Sequence, residues 1–346
     1  MSAERIAKLR DVLDAPLLVT NPINVVYLTG FDSSNAALLV GPASATLFAD
    51  ARYTSGGREV ADVEFVETGR VLLVDLATRL QGPIGIEIDH ISYTGYQSLT
   101  SMGLEVFPTH GHVEQLRAVK DASETSAIVA ASEMADAVLG QLVQEPWAGR
   151  SERELAKRIR MLTLEQGGDD VAFEVIVGSG PNSAKPHSRP SERQVTHGDL
   201  VVVDFGVRLD GYRSDLTRTM EVGEIDERSR EILDVCEQAY RAALAEIKPG
   251  MSGVEADATA RKVIADAGFG DNFGHALGHG IGLEVHEAPT LSKLATDASV
   301  EVGQIVMVEP GIYLPGHAGA RIEDLCLVRD DGLERVTALP PRITVA

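Results

Sequence analysis

The sequence predicts a two-domain α/β protein, in which a small α/β domain precedes a larger α+β domain built from a duplicated helix-plus-sheet unit. Three observations support this fold class. The chain has 346 residues, about the length of two domains. Its composition, 44% hydrophobic and 24% charged, excludes intrinsic disorder and fibrous repeats. Near residue 118 short apolar segments give way to long helical periodicity, so we place the domains at 1–117 and 118–346.

The first domain is predicted from short apolar segments that are separated by turn residues. Four segments have the length and composition of strands: 17–19, 36–40, 46–48 and 84–88. Gly-Pro pairs at 41–42 and 82–83 mark turns between them. Strands alternating with short helices are therefore expected here.

The second domain is predicted to contain the same unit twice. Asp121 offers a cap for a helix whose apolar residues recur at helical spacing to residue 142. Ser151 with Glu154, and Ser252 with Glu255, form two capping boxes that each open a helix of about fifteen residues. Each helix is followed by glycine, a segment containing glycine and histidine, and two β-like stretches. A further helix at 226–247 has one apolar stripe and is expected to be structural.

Charge and cysteine content narrow the possible functions. The formal net charge of −21 would repel a polyanion, so a nucleic acid is not expected as a partner. No apolar run approaches the roughly 18 residues of a membrane-spanning helix, and the polar start predicts a cytoplasmic location. Cys236 and Cys326 are too few for a disulfide framework or a thiolate zinc site. Any bound metal must therefore be held by oxygen and imidazole.

A predicted hairpin brings two aspartates together. The Asp210-Gly211 pair between β-forming residues is a strong hairpin signal, and with these as turn residues Asp204 faces Thr217. Because residues 215 and 217 share a face of their strand, Asp204 and Asp215 also share a face. Two converging carboxylates are usually relieved by a shared proton or a bridging cation. The alternative is a pair of solvated aspartates on an exposed sheet.

A glycine-rich segment carries three of the nine histidines within twelve positions. His279 lies between Gly278 and Gly280, which would let the backbone approach other chain segments closely, and it is the candidate metal ligand. His275 and His286 are candidate donors that face the ligands or a substrate. A lone histidine would more often be a core or surface group, but the clustering favours a site.

Two glutamates lie in apolar β-like segments near the end of the chain. Glu309 ends one apolar strand, and Glu323 is expected inside another, at 321–327. A buried strand carries an unpaired carboxylate only at a high energetic cost. Strand alternation places Glu323 and Arg321 on one face, so Glu323 could face a site. The alternative is a structural ion pair between Arg321 and Glu323.

These segments together supply four carboxylates and one imidazole: Asp204, Asp215, His279, Glu309 and Glu323. Oxygen donors with a single nitrogen suit a pair of Mn²⁺, Co²⁺ or Zn²⁺ ions better than one structural zinc. Two ions roughly 3.5–4 Å apart can bridge a water, lower its pKa and polarise a carbonyl or phosphoryl oxygen. The donor set therefore predicts a hydrolase.

Four segments, 204–219, 278–289, 309–313 and 321–324, resemble in order and spacing the metallopeptidase family of prolidase, aminopeptidase P and methionine aminopeptidase. The resemblance implies the pita-bread catalytic fold, with pseudo-twofold halves, from about residue 118 to the end. Residues 1–117 resemble the creatinase-type amino-terminal domain of the proline-specific branch, which methionine aminopeptidases typically lack.

The resemblance also implies a role for each member of the donor set. Asp204 is similar to a ligand of one ion, whereas His279 and Glu309 resemble ligands of the other. Asp215 and Glu323 resemble the carboxylates that bridge both ions. Glu309 would in addition act as the proton shuttle for the bridging hydroxide.

Further residues are implied to surround the substrate. His286 resembles the histidine that contacts the scissile carbonyl or stabilises the oxyanion. His187 and His275 are similar to substrate-pocket histidines of the family. Arg321 and Tyr313 resemble residues that orient the ligands and line the pocket.

The implied substrate is a short peptide with proline in the second position, most simply an Xaa-Pro dipeptide. Release of the first residue from longer Xaa-Pro peptides, as by aminopeptidase P, is the alternative. Asp32 and Arg52 lie in amino-terminal loops from which the family often reaches toward a site, including a partner's, although such residues more often cap a loop. The resemblance also implies a homodimer.

Two other interpretations share the fold. Creatinase is metal-independent and has lost the ligand set, whereas all five ligand positions are filled here. A non-catalytic pita-bread domain that binds proteins or peptides would usually show substituted ligands, and none is substituted in this sequence.

Overall fold

The computed structural model describes residues 2–296 and 299–346. The chain divides into two compact units, Met1–Arg117 and Ala118–Ala346. Within the described ranges, every helix is too short or too polar to span a lipid bilayer.

The first unit is a mixed sheet with helices. Its helices are α1 Ser2–Asp11, α2 Pro22–Thr29, α3 Thr54–Glu59, α4 Leu72–Arg79, α5 Tyr93–Thr100 and α6 His112–Ala118, the last residue lying just beyond the unit. Its strands are β1 Leu17–Val19, β2 Ala36–Val40, β3 Ala45–Asp50, β4 Glu64–Thr68, β5 Ile84–Glu87 and β6 Val106–Thr109. The sheet order is β4-β3-β2-β1-β5-β6, with β2 antiparallel to both of its neighbours and the other pairs parallel.

The α/β character predicted for this unit is confirmed, and each of the four predicted strands is present. Two strands were missed. β4 reads EFVET, in which glutamates interrupt the apolar pattern, and β6 contains Pro108. Proline has no backbone N–H to donate to a neighbouring strand, so a segment that contains it is seldom predicted as a strand. Here Pro108 lies on the edge strand of the sheet.

In its described residues, 118–296 and 299–346, the second unit contains four helices of 14 residues or more and several small sheets. The helices are α7 Ala122–Leu142, α8 Glu152–Glu165, α9 Glu227–Glu246 and α10 Gly253–Asp266. The strands of its first half are β7 Asp170–Val171, β8 Ile176–Ser179, β9 Leu200–Phe205, β10 Val207–Leu209, β11 Tyr212–Arg213 and β12 Leu216–Val222. Those of its second half are β13 Gly278–Gly280, β14 Glu287–Leu291, β15 Ile305–Val308, β16 Gly311–Leu314, β17 Ala318–Arg321, β18 Asp324–Arg329, β19 Gly332–Arg335 and β20 Arg342–Val345.

The predicted repeat is visible in helix order, caps and core. In each half a long helix precedes a 14-residue helix that starts with the predicted capping box, at Ser151 and at Ser252. Asp121 and Asp226 cap α7 and α9, the longer helix of each half. Each half has its own apolar core, in which buried residues of both helices pack against the strands. A four-stranded sheet, β20-β12-β9-β8, and a five-stranded sheet, β14-β13-β15-β18-β19, are the largest of this unit.

The predicted hairpin register is confirmed. Leu209 pairs with Tyr212 and Asp204 pairs with Thr217. Asp210 and Gly211 have φ angles of 50° and 82°, the left-handed values that a type I′ turn requires. This register places Asp204 and Asp215 on the same face of the sheet.

The single strand predicted for 321–327 is wrong in one detail. β17 ends at Arg321 and β18 begins at Asp324, with Glu323 in an isolated bridge to Thr217. The strand is interrupted because the Glu323 N–H donates to the Thr217 carbonyl, 3.1 Å away, instead of to an adjacent strand of its own sheet.

Candidate metal centre

The five side chains of the predicted donor set lie together in the second unit. They come from five segments: Asp204 in β9, Asp215 just before β12, His279 in β13, Glu309 just after β15 and Glu323 between β17 and β18. The Nε2 atom of His279 lies 4.0 Å from Asp215 Oδ2 and 3.7 Å from Glu309 Oε1. Ligand atoms of Asp215, His279 and Glu323 lie within 4.8 Å of one another. Asp204 is close enough to raise the pKa values of Asp215, Glu309 and Glu323.

The glycines around His279 allow the close approach that the sequence suggested. A Cβ atom on Gly278 would lie 1.8 Å from the Met307 carbonyl oxygen, and one on Gly280 would lie 2.0 Å from the Ala288 carbonyl oxygen. Both distances are far below van der Waals contact. Glycine therefore lets β13 lie close to β14 and β15, which brings His279 beside Glu309.

Burial and mutual repulsion disfavour the charged forms of Asp215, Glu309 and Glu323. The pKa of Asp215 is raised well above its usual value by burial and then by Glu323 and Asp204. Burial followed by Glu323 raises the pKa of Glu309 in the same way. Burial and Asp204 raise the pKa of Glu323 to about 8. A cation among these groups would remove the repulsion, because it would replace the protons that the carboxyls otherwise retain.

Two oxygen atoms show that the donor set fits such a cation. Asp204 Oδ1 and Asp215 Oδ1 are buried and, in the described part of the chain, have no hydrogen-bond partner. Buried polar atoms are normally paired, so an orphaned carboxylate oxygen requires an explanation, such as an ion. Both oxygens belong to aspartates of the predicted ligand set.

His279 presents an unprotonated nitrogen to the carboxylates. Its Nδ1 atom lies 2.9 Å from the Gly280 carbonyl oxygen, which can only accept, so Nδ1 carries the proton. Burial, and then the neighbouring His286, lowers the pKa of His279 to about 4, so the ring is neutral at pH 7. The Nε2 lone pair is therefore free to bind a metal.

His286 and His187 lie at the more exposed side of this cluster. The rings of His286 and His279 are 4.3 Å apart in an edge-on arrangement. Burial, followed by the charge of His187, lowers the pKa of His286. His187 also contributes to the lowered pKa of His275. The three histidines therefore lie near one another, as a substrate pocket beside the carboxylates would require.

Arg321 joins the carboxylates to a tyrosine and a histidine. Its Nη2 donates to Asp204 Oδ2 at 2.5 Å and its Nη1 donates to the Tyr313 hydroxyl at 2.6 Å. That hydroxyl lies 3.0 Å from His275 Nε2. His275 Nδ1 donates to the Ala276 carbonyl, and burial followed by the charge of Arg321 lowers the pKa of His275 to about 4. The ring is therefore neutral, and its Nε2 atom accepts a hydrogen bond from the Tyr313 hydroxyl. Arg321 thus pairs with Asp204, not with Glu323 as the structural alternative supposed.

Two residues of the centre were missed at the sequence level. The Thr217 hydroxyl donates to Glu323 Oε2 at 2.6 Å and accepts from Arg321 Nε at 3.1 Å. Its position opposite Asp204 in the hairpin was a usable signal. Arg218 is completely buried and donates to the carbonyls of Thr217 and Glu323. No short-range pattern pointed to Arg218, because its partners outside its own strand lie more than a hundred positions along the chain.

Asp32 and Arg52 lie in the first unit. Arg52 forms a two-bond ion pair with Asp50, with Nε–Oδ1 and Nη2–Oδ2 distances of 2.9 and 2.7 Å. Asp50 also caps the short turn that contains Arg52. Arg52 therefore stabilises its own loop, which was the simpler of the two interpretations. Asp32 is exposed, and a role for either residue at a catalytic site stays a prediction.

Fold and donor set together define a pita-bread metallopeptidase with a creatinase-type amino-terminal domain. The family model "Metallopeptidase family M24" matches residues 126–330, and the "Creatinase/Prolidase N-terminal domain" matches residues 5–119. The chain belongs to metallopeptidase family M24. The fold class predicted from the sequence is confirmed, and membership of this family implies divalent metal ions.

Three similar proteins span nearly the whole chain. The Xaa-Pro dipeptidase of Pyrococcus furiosus is 33% identical over 341 residues, which cover 96% of this chain and 97% of the relative. The structure of an Xaa-Pro dipeptidase from Bacillus anthracis is 34% identical, covers 100% of both chains and has a TM-score of 0.96. An X-Pro aminopeptidase from Thermotoga maritima is 32% identical, with 98% and 100% covered and a TM-score of 0.88.

Proposed function

We propose that this protein hydrolyses the peptide bond that precedes proline, primarily in Xaa-Pro dipeptides. The observation that carries the proposal is the gathering of Asp215, His279 and Glu323, with ligand atoms within 4.8 Å of one another, in a chain of family M24. Similarity over nearly full length to Xaa-Pro dipeptidases supports the choice of substrate.

The metal centre of the proposal holds two divalent ions, Mn²⁺, Co²⁺ or Zn²⁺. Four carboxylates and one imidazole would hold them: Asp204, Asp215, His279, Glu309 and Glu323. The orphaned oxygens of Asp204 and Asp215 support this assignment. Bound ions of this kind lower the pKa of water and polarise a carbonyl oxygen.

Glu309 is the proposed proton shuttle. It lies 3.7 Å from His279 Nε2 and 3.9 Å from His275 Nδ1, at the junction of the carboxylates and the histidines. A carboxylate at this junction can take a proton from attacking water and pass it to the leaving nitrogen of proline. The partial exposure of its side chain, 18%, supports access to substrate.

The histidines and Arg321 have supporting roles in the proposal. His286 donates to the scissile carbonyl oxygen as negative charge develops there. His187 and His275 line the pocket that holds the substrate. Arg321 and Tyr313 hold Asp204 and His275 in position through the bonds described above. The homodimer and the cytoplasmic location stay predictions.

A substrate-length series with three metals tests the proposal. Metal-free protein would be supplied with Mn²⁺, Co²⁺ or Zn²⁺ and assayed on an Xaa-Pro dipeptide and on an Xaa-Pro-Yaa-Zaa peptide. Turnover of the dipeptide is expected, and a matched Xaa-Ala dipeptide serves as the control for proline specificity. Activity on the longer peptide alone would reject the dipeptidase assignment.

Aminopeptidase P activity is the second candidate. Similarity to the X-Pro aminopeptidase of Thermotoga maritima over 98% of the chain favours it. The same length series separates the two activities, because the dipeptidase assignment predicts turnover of the Xaa-Pro dipeptide, whereas the second candidate would release the first residue of the longer peptide. A protein inactive on every peptide with each metal would instead indicate a binding module.

A further inference from the structure

A buried carboxylate lies at the base of the segment that carries His187. We name residues 180–190 the His187 loop; they follow β8 and precede Ser191. Glu152, the first residue of α8, has no exposed surface. The capping box that opens α8 uses Ser151 and Glu154, so the helix start does not account for the burial of Glu152.

Glu152 joins the two ends of this loop. Its Oε1 accepts from the backbone N–H and the hydroxyl of Ser179, both at 2.8 Å. Its Oε2 accepts from the backbone N–H and the hydroxyl of Ser191, at 2.9 and 2.6 Å. The amide of Asn182, inside the loop, donates to both oxygens at 3.1 and 3.3 Å.

The carboxylate is ionised despite its burial. Burial alone would raise the pKa of Glu152, but the hydrogen bonds from Ser191, Ser179 and Asn182 outweigh it and lower that pKa. Its position in the first turn of a 14-residue helix adds a favourable interaction with the helix dipole. The Glu152 carboxylate thus accepts six donor contacts, far more than the start of a helix requires.

The far part of the loop is tied to the candidate metal centre. Arg321 Nη1 donates to the Pro186 carbonyl at 3.2 Å, one residue before His187. The N–H of Gly319 donates to Ser183 Oγ at 2.8 Å. With its base held by Glu152 and its far part by Arg321, the loop fixes the place of His187 beside His275 and His286.

We propose that Glu152 is a positioning residue for substrate binding, which holds His187 in the pocket by joining Ser179 and Ser191 through one carboxylate. The inference rests on the proposed function, in which His187 lines the pocket that holds the substrate. It assigns to a buried residue outside the metal centre a part in determining KM.

Amide hydrogen exchange tests the structural half of the inference without any activity. In Glu152→Gln the new amide group presents N–H to N–H donors, so two of the bonds become repulsive. Exchange within residues 179–191 should be at least about tenfold faster than in the wild type. Glu154→Gln, a change of the same kind two residues away, should leave these residues protected. Unchanged exchange in Glu152→Gln would overturn the inference.

Kinetics on an Xaa-Pro dipeptide test the functional half. Glu152→Gln should raise KM about tenfold while kcat and metal content stay close to wild type, since binding is weakened and the chemistry is retained. In a His187→Ala background the same change should have little further effect, because Glu152 acts through His187. Independent, multiplicative effects of the two changes would contradict a positioning role.

The experiments remain decisive if the Glu152→Gln variant does not fold or if the wild type is inactive. If Glu152→Gln does not fold, Ser191→Ala, which removes a single hydroxyl donor, should produce a smaller rise in KM and in exchange, and no rise would overturn the inference. If the wild type is inactive on all peptides, the proposed function fails. The exchange experiment still decides whether Glu152 holds the loop.

Discussion

The Thr217 hydroxyl donates to Glu323 Oε2 at 2.6 Å, and the Glu323 backbone N–H donates to the Thr217 carbonyl at 3.1 Å. Thr217 belongs to β12 in the first half of the second unit, whereas Glu323 belongs to its second half. Arg218 donates to the carbonyls of both residues. The two halves of the repeat are therefore joined at the point where their carboxylates meet.

Removing the Thr217 hydroxyl should misplace Glu323. Thr217→Val keeps the shape of the side chain but leaves Glu323 Oε2 and Arg321 Nε without this partner. We expect kcat/KM to fall about 10- to 100-fold, which corresponds to about 1.4–2.7 kcal/mol. Thr217→Ser, which retains the hydroxyl, should stay within about threefold of the wild type. Equal activity of the two variants would show that the hydroxyl has no role.

Asp215→Asn should remove activity without unfolding the chain. Asparagine has the same shape but lacks the charge that binds a cation, so we expect kcat/KM to fall at least about a thousandfold and metal content to drop. Relief of the repulsion from Glu323 and Asp204 should preserve or raise the melting temperature. Metal analysis and thermal unfolding provide the two measurements.

Asp210→Asn in the same hairpin is the matched control. Asp210 has a φ angle of 50°, a conformation that asparagine tolerates well. Its activity should equal that of the wild type. A fully active Asp215→Asn variant would refute the assigned role of Asp215.

The close approach of β13 to its neighbour predicts a large stability effect. A Cβ atom on Gly278 would lie 1.8 Å from the Met307 carbonyl oxygen, so Gly278→Ala should cost about 3 kcal/mol or more. Gly274→Ala is the control, because a Cβ atom on Gly274 would have no neighbouring atom within 4 Å in the described part of the chain. Urea unfolding should separate the two variants. Similar midpoints would mean that β13 does not need to lie so close to β15.

The metal-free protein should lose stability as pH rises. The pKa of Glu323 is raised to about 8, from 4.5, by burial and Asp204. The folded state therefore binds a proton that the unfolded state has released, and the free energy of unfolding falls between these pH values. We expect a loss of about 1 kcal/mol per pH unit from each such carboxyl, with Asp215 and Glu309 acting in the same direction.

Excess Mn²⁺ or Zn²⁺ should remove most of this slope, because the ions take the place of the protons. Urea unfolding at about pH 5.5, 6.5 and 7.5, with chelator or with metal, measures the difference. Parallel pH profiles in the two conditions would contradict the exchange of protons for metal.

Local patterns were sufficient for much of the fold. The capping residues Asp121, Ser151 and Ser252 begin helices as predicted, since a cap needs only neighbours a few positions away. The Asp-Gly turn set the register of a whole hairpin and hence the shared face of two aspartates. These features depend on backbone geometry over short distances.

Long-range pairings could not be predicted in the same way. The alternative of an ion pair between Arg321 and Glu323, two positions apart, is wrong, because the guanidinium pairs with Asp204 across 117 positions. The six donor contacts of Glu152 likewise join segments 27 to 39 positions apart. Such contacts depend on how the sheets and loops pack, and a periodic pattern in the sequence carries no signal for them.

Anomalous X-ray scattering from crystals grown with Mn²⁺ tests the central claim most directly. We expect two manganese peaks per chain, in contact with oxygens of Asp215 and Glu323, with His279 Nε2 bound to one of them. Crystals of Asp215→Asn grown in the same solution should lack at least one peak. Manganese-saturated wild-type crystals with no peak beside these side chains would contradict a dinuclear metal centre at this site.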